Sequence, residues 1–115
     1  MNYHLRQLPS FSTLLSGRQP RDENGFQSNQ LQIWYNNTDV SWRDQGSHKH
    51  LESDEIFIVL KGVLTVEIEG ERVTVNPGEF ICFPKGVYHA VVDVETPAET
   101  FMIRAPSVED KVYKE

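Results

Sequence analysis

The stretch Val63-Leu64-Thr65-Val66-Glu67-Ile68-Glu69-Gly70-Glu71-Arg72-Val73-Thr74-Val75 restricts the fold more than any other part of this chain. Its first six side chains alternate apolar and polar with the period of a strand. Leu64, Val66 and Ile68 therefore share one face, and Thr65 and Glu67 the other. Glu69-Gly70-Glu71 reverses the chain and the alternation resumes from Arg72, so the pattern is a hairpin. Shorter runs of the same kind surround it. In residues 30–35, Leu31, Ile33 and Tyr35 fall on one face; residues 40–42 begin another strand. Residues 56–60 are apolar on both faces, residues 80–83 read as a buried strand, and residues 89–94 and 100–104 complete the set. Residues 36–39, Asn76-Pro77-Gly78 and Pro84-Lys85-Gly86 are turns, and the acidic, proline-containing residues 93–99 read as an exposed loop. Such spacing means an all-β sandwich or barrel.

Helical periodicity is confined to residues 10–17, where Ser10 and Gly17 suit the two ends of one or two turns. That segment belongs to an N-terminal arm over residues 1–29, with a polar loop over residues 18–28. The barrel occupies residues 30–105, and residues 106–115 form a polar tail with one helical turn starting at Ser107. At 115 residues the chain is one domain. Its 38% hydrophobic and 24% charged residues place it among folded proteins rather than disordered ones. A net charge of −6 argues against nucleic acid, whose phosphates need a basic face. No stretch is long and apolar enough to span a membrane, and no signal peptide opens the chain. The lone Cys82 has no internal disulfide partner, which suits a cytoplasmic protein, and its place in the 80–83 run suits a small buried side chain.

The chemistry concentrates in His48-Lys49-His50-Leu51-Glu52-Ser53-Asp54-Glu55 and in the later His89. On an extended strand His48 and His50 point the same way. Residues 51–54 lack strand alternation, and a turn there brings Glu55 back beside the two rings. His89 follows the Pro84-Lys85-Gly86 turn and supplies a third imidazole. Three histidines and one carboxylate converging inside a β framework form a site for a divalent metal: Mn, Fe, Ni, Co or Zn. If Glu55 faces this site, Phe57 and Val59 line the interior, and Ile56, Ile58 and Leu60 need cover from the arm or from another subunit. Glu52 and Asp54 read as solvated turn carboxylates. Tyr35, Trp42, Phe57, Tyr88 and Phe101 are aromatics for the core or a pocket. Arg104 has the opposite parity to Phe101 and Ile103, so it either lies on the surface or faces the lumen, where it could pair with an anionic substrate.

These residues resemble the two motifs of the cupins. His48-x-His50-x4-Glu55-x6-Gly62 matches the first from its histidines onward, and Gly78-x5-Pro84-x-Gly86-x2-His89 matches the second, with Asp93 in place of its closing asparagine. Trp42 stands where the first motif opens on glycine. The resemblance implies a cupin-type jelly-roll β-barrel, with His48, His50, Glu55 and His89 as metal ligands. It also implies a homodimer built by packing barrel faces or exchanging N-terminal strands.

Two readings of the function follow. The first is a metal-dependent enzyme on a small organic substrate, dioxygenase-like or isomerase-like. The second is a non-catalytic module in which the metal anchors a sugar or metabolite for binding or sensing. Beyond the ligands, no residue identifies itself as a base, and a storage-like barrel without chemistry is disfavoured by the complete ligand set.

Overall fold

The computed structural model describes residues 3–18 and 25–115. Their strands are β1 (Thr13–Gly17), β2 (Phe26–Gln27), β3 (Gln32–Thr38), β4 (His48–His50), β5 (Asp54–Ile68), β6 (Glu71–Val75), β7 (Phe80–Phe83), β8 (His89–Ala105) and β9 (Lys111–Tyr113). No helix occurs among the described residues, so none is long and apolar enough to cross a membrane. The all-β expectation holds.

The two long strands, β5 and β8, run antiparallel and form the spine. Along β5, the β6 and β7 strands pair with successive stretches, while β3 and β4 pair with opposite ends of β8. The sheet closes around a core of Phe57, Val59, Leu64, Val66, Phe83 and Val91, all nearly inaccessible to water. The hairpin forms as its pattern requires. Ile68 pairs with Glu71 across the two-residue turn Glu69-Gly70, whose φ angles of 49° and 86° are both positive. That turn type matches the twist of the flanking strands.

Several local expectations change. Residues 10–17 are not helical; Thr13–Gly17 is a strand antiparallel to β3 with a bulge between Leu14 and Ser16. So short a helix does not hold together in water, whereas the open edge of β3 supplies hydrogen-bond partners. The polar loop expected over residues 18–28 lies partly outside the described residues, and its described end contributes β2, paired with β1. The turn expected at residues 36–39 begins later, because Asn36 and Asn37 continue β3 in register with Thr100 and Glu99. Residues 40–42 form no strand.

The loop expected at residues 93–99 is instead the middle of β8. Register shifts opposite Lys61 and Val63 absorb its irregular, proline-containing stretch. In β7 only Phe83 is fully buried. Phe80 (67% exposed) and Cys82 face outward, so that strand is covered on one side and Cys82 is not a core residue. Ile56 and Ile58 are half-buried and Leu60 stays exposed. The tail also departs from expectation: no helical turn starts at Ser107, and residues 111–113 add a strand to β4.

Candidate metal centre

Three strands deliver the four residues singled out in the sequence. β4 carries His48 and His50, both pointing inward across the intervening Lys49. A turn at Leu51-Glu52 leads into β5, which places Glu55 one strand away, and β8 sets His89 directly opposite His48. All four side chains are buried, and one ligand atom from each lies within 4.8 Å of the others.

Hydrogen bonds orient every ring. His48 Nδ1 donates to the Gly46 carbonyl at 3.1 Å, and His89 Nδ1 donates to the Val87 carbonyl at 3.0 Å. His50 Nδ1 donates to Asp110 Oδ1 at 2.8 Å. Carbonyl and carboxylate oxygens only accept, so each Nδ1 carries a proton and Nε2 is the ring nitrogen left to face the cluster. Glu55 faces two of them: Oε1 is 2.8 Å from His89 Nε2, and Oε2 is 3.4 Å from His50 Nε2. The Phe83 ring stacks on His89, with centroids 4.0 Å apart and planes 3° from parallel, which fixes the imidazole plane.

The electrostatics favour the ligand forms of Glu55 and His48. Burial alone would raise the Glu55 carboxyl, but bonds from His50 and His89 outweigh it and hold the group at about 2. Burial lowers the His48 imidazole and keeps its lone pair available. The donor set, three imidazole nitrogens and one carboxylate, therefore fits a divalent ion of the Mn-to-Zn series, which the cluster could hold.

The cluster opens onto a cavity of about 570 Å³. Trp34, Trp42, Phe57 and Met102 form apolar wall, while Gln32, Asn36, Asp44 and Arg104 bring polar groups to it. Of the aromatics singled out in the sequence, Phe57 and Trp42 line this space. Tyr35 is buried against Phe101, and Tyr88 lies beneath the ammonium groups of Lys49 and Lys114. Glu52 and Asp54 are exposed and stay outside the cluster; Asp54 accepts the Lys85 backbone N–H. Arg104 faces the lumen.

Sequence reasoning missed the cavity residues Gln32, Asn36, Asp44 and Met102, and two further contributors show why. Trp34 sits at a β3 position whose pattern pointed elsewhere, since the apolar set Leu31, Ile33 and Tyr35 turned out to lie on the face away from the cavity. Asp110 lies in the tail, and no spacing connects it to a histidine sixty residues earlier.

A family model for the cupin domain matches residues 39–104. No curated protein matches the sequence. Among solved structures, KdgF from Halomonas sp. is 25% identical, with 69% of this chain and 72% of that chain covered and a TM-score of 0.60. A cupin-2 domain containing protein from Shewanella frigidimarina is 28% identical over 70% of this chain and 74% of that one, with a TM-score of 0.52. Pac13 from Streptomyces, a nucleoside dehydratase, shares the fold with a TM-score of 0.64 at 14% identity, over 80% of this chain and 74% of that one.

Proposed function

The chain belongs to the cupin family, and from that premise we propose that it is a metal-dependent enzyme acting on a small polar organic substrate. The observation that carries this reading is the convergence of His48, His50, Glu55 and His89 on one point at the wall of an open cavity. A closed structural site would have no such space beside it. A divalent ion held by these four residues would supply a Lewis acid for a carbonyl or hydroxyl oxygen of the substrate. Mixed polar lining favours isomerase-like over dioxygenase-like chemistry.

Within that scheme Trp34, Trp42, Phe57 and Met102 exclude water from the reacting face. The amides of Gln32 and Asn36 orient substrate hydroxyls. Asp44 lines the same cavity with Oδ2 already engaged by the Val91 backbone N–H at 2.8 Å, which leaves Oδ1 to receive a proton. That a protein of this fold is a nucleoside dehydratase supports catalysis on small molecules within such a barrel.

The test is metal loading followed by melting. Wild type should take up one divalent ion by elemental analysis and melt higher with it, whereas His89→Ala should do neither. A melt unmoved by Mn, Fe, Co, Ni and Zn, with no bound metal, would sink the reading. Metal uptake without turnover of any small carbonyl or hydroxyl compound would leave the binding-module alternative. The reading also includes a homodimer, since Tyr3, Leu8, Phe11 and Phe26 expose apolar surface that a second copy would cover. Sedimentation should show a dimer at micromolar concentration. A cytoplasmic setting accords with the single exposed thiol of Cys82.

A further inference from the structure

Arg104 is a partly buried cation without an anion. The register sets it opposite Glu55 on β5 and opposite Gln32 on β3, so its side chain enters the lumen between the metal cluster and the β3 wall. Nη2 donates to Gln32 Oε1 at 3.0 Å and to the Val108 carbonyl at 3.3 Å, both neutral acceptors. Nη1 lies 3.3 and 3.4 Å from the two ring nitrogens of His50. A point nearly equidistant from both nitrogens rests against the face of the ring rather than in line with either lone pair. Nε is buried and has no hydrogen-bond partner. Among the described residues, no carboxylate reaches ion-pairing distance of this guanidinium.

Such an arrangement is costly for a free-standing protein, because a desolvated guanidinium is normally matched by a carboxylate or phosphate. Arg104 is also shared wall. The 570 Å³ cavity and a second one of about 410 Å³ both include Arg104, Gln32, Trp34 and Glu109, so a ligand in either space meets the guanidinium.

We propose that Arg104 is the recognition site for a carboxylate on the substrate, which is therefore a small organic acid whose neighbouring oxygen lies beside His50 and Glu55. The inference rests on the enzyme reading above for what happens to that oxygen. A carboxylate fits better than a phosphate because Asp44, Glu55, Glu109 and Asp110 also line the cavity, outnumbering its one other cation, Lys111, and a dianion would meet more repulsion from them than a monoanion. The guanidinium lines the cavity with no carboxylate among the described residues paired to it, which leaves the planar cation to a ligand carboxylate.

The test is a titration of the zinc-loaded full chain followed through the Arg104 Nε–H resonance, with lactate, its neutral counterpart lactamide, and inorganic phosphate as probes. Lactate should move that resonance and bind about tenfold or more tightly than lactamide, the difference expected of a charge-assisted hydrogen bond. Phosphate should bind no better than lactamide. Arg104→Met should abolish the preference for lactate. Gln32→Glu, which hands the guanidinium a carboxylate of its own, should abolish it too while the zinc content stays unchanged.

Equal binding of lactate and lactamide overturns the assignment, as does a preference that survives both substitutions. Silence of the resonance toward lactate, acetate and malonate alike overturns it as well, and tighter binding of phosphate overturns the carboxylate class. If neither zinc nor any of Mn, Fe, Co and Ni loads, the enzyme reading fails instead. The same comparison on the metal-free chain then decides the role of Arg104 by itself.

Discussion

The carboxylate of Asp110 holds His50 from a segment sixty residues further along the chain, with Oδ1 2.8 Å from Nδ1. Its other oxygen accepts the backbone N–H groups of Glu52 and Ser53, each at 2.9 Å. One side chain therefore sets the tautomer of a proposed ligand and clamps the turn between that ligand and Glu55. Asp110→Asn keeps the shape but turns an amide donor toward donors on one side or the other. It should weaken metal binding by about 10–100-fold and cost about 1–3 kcal/mol of stability. Competition titration against a chelating dye, with urea unfolding alongside, checks both. Unchanged metal affinity would show that the acceptor on Nδ1 is dispensable.

Acid should destabilise the metal-free protein through three groups that act in the same direction. Burial pushes the Glu55 carboxyl up, but the bonds from His50 and His89 bring it down from 4.5 to about 2. Burial works against the Asp110 carboxylate too, and the N–H groups of Glu52, His50 and Ser53 hold it below its ordinary value. The His48 imidazole is lowered from 6.5, chiefly by burial. Each group binds fewer protons folded than unfolded, so unfolding takes up protons. The stabilisation is complete above the unfolded values and is lost as pH falls, starting near 6.5 for His48 and continuing toward 2 for Glu55. Glu55 accounts for on the order of 3 kcal/mol of this. Urea midpoints measured in steps from neutral to acid pH should decline steadily for wild type, and Glu55→Gln should flatten the lower limb. A wild-type midpoint independent of pH would contradict the assignment.

The parts legible in the sequence are those governed by local periodicity or by short spacing. The Leu64, Val66 and Ile68 face of the hairpin follows from alternation, and His48, His50 and Glu55 lie within one strand-turn-strand unit. His89 was legible only through its turn and the motif around it. The segments misread were those whose state depends on a distant partner. Thr13–Gly17 is a strand because β3 offers an edge, and Lys111–Tyr113 is a strand because β4 does. Asp110 was invisible for the same reason, since its role exists only once β9 has docked. The outward turn of Cys82 follows from a sheet with one covered face, which a run of four apolar residues does not announce.

Removing residues 111–115 should loosen the cluster without touching any proposed ligand. β4 pairs with β9 at three positions, His48 with Tyr113, Lys49 with Val112 and His50 with Lys111, but with β8 only at His48. Losing three cross-strand pairs should cost about 1–3 kcal/mol. Amide exchange at residues 48–50 should rise more than at Leu64 or Val66, which lie in the hairpin core. Exchange that rises equally everywhere would mean that β9 supports the whole barrel rather than β4.

Gly62 offers a test of why a glycine stands within β5, between the stretch that carries Glu55 and the hairpin arm. Its φ is +77°, and a Cβ built there would stand 2.4 Å from the Glu95 carbonyl oxygen and 2.9 Å from both the Pro97 carbonyl oxygen and Ala98 Cβ. Backbone atoms of β8 cannot move aside cheaply, so Gly62→Ala combines conformational strain with steric overlap. Gly78 has φ +85° but nothing within 4 Å of its built Cβ, so Gly78→Ala bears the strain alone. The expected cost is about 1–2 kcal/mol for Gly78→Ala and more than about 3 kcal/mol for Gly62→Ala. Urea unfolding of the two variants, side by side, reads the difference. Equal losses would mean that β8 yields at Glu95 to Ala98, and that positive φ is the whole reason for glycine at position 62.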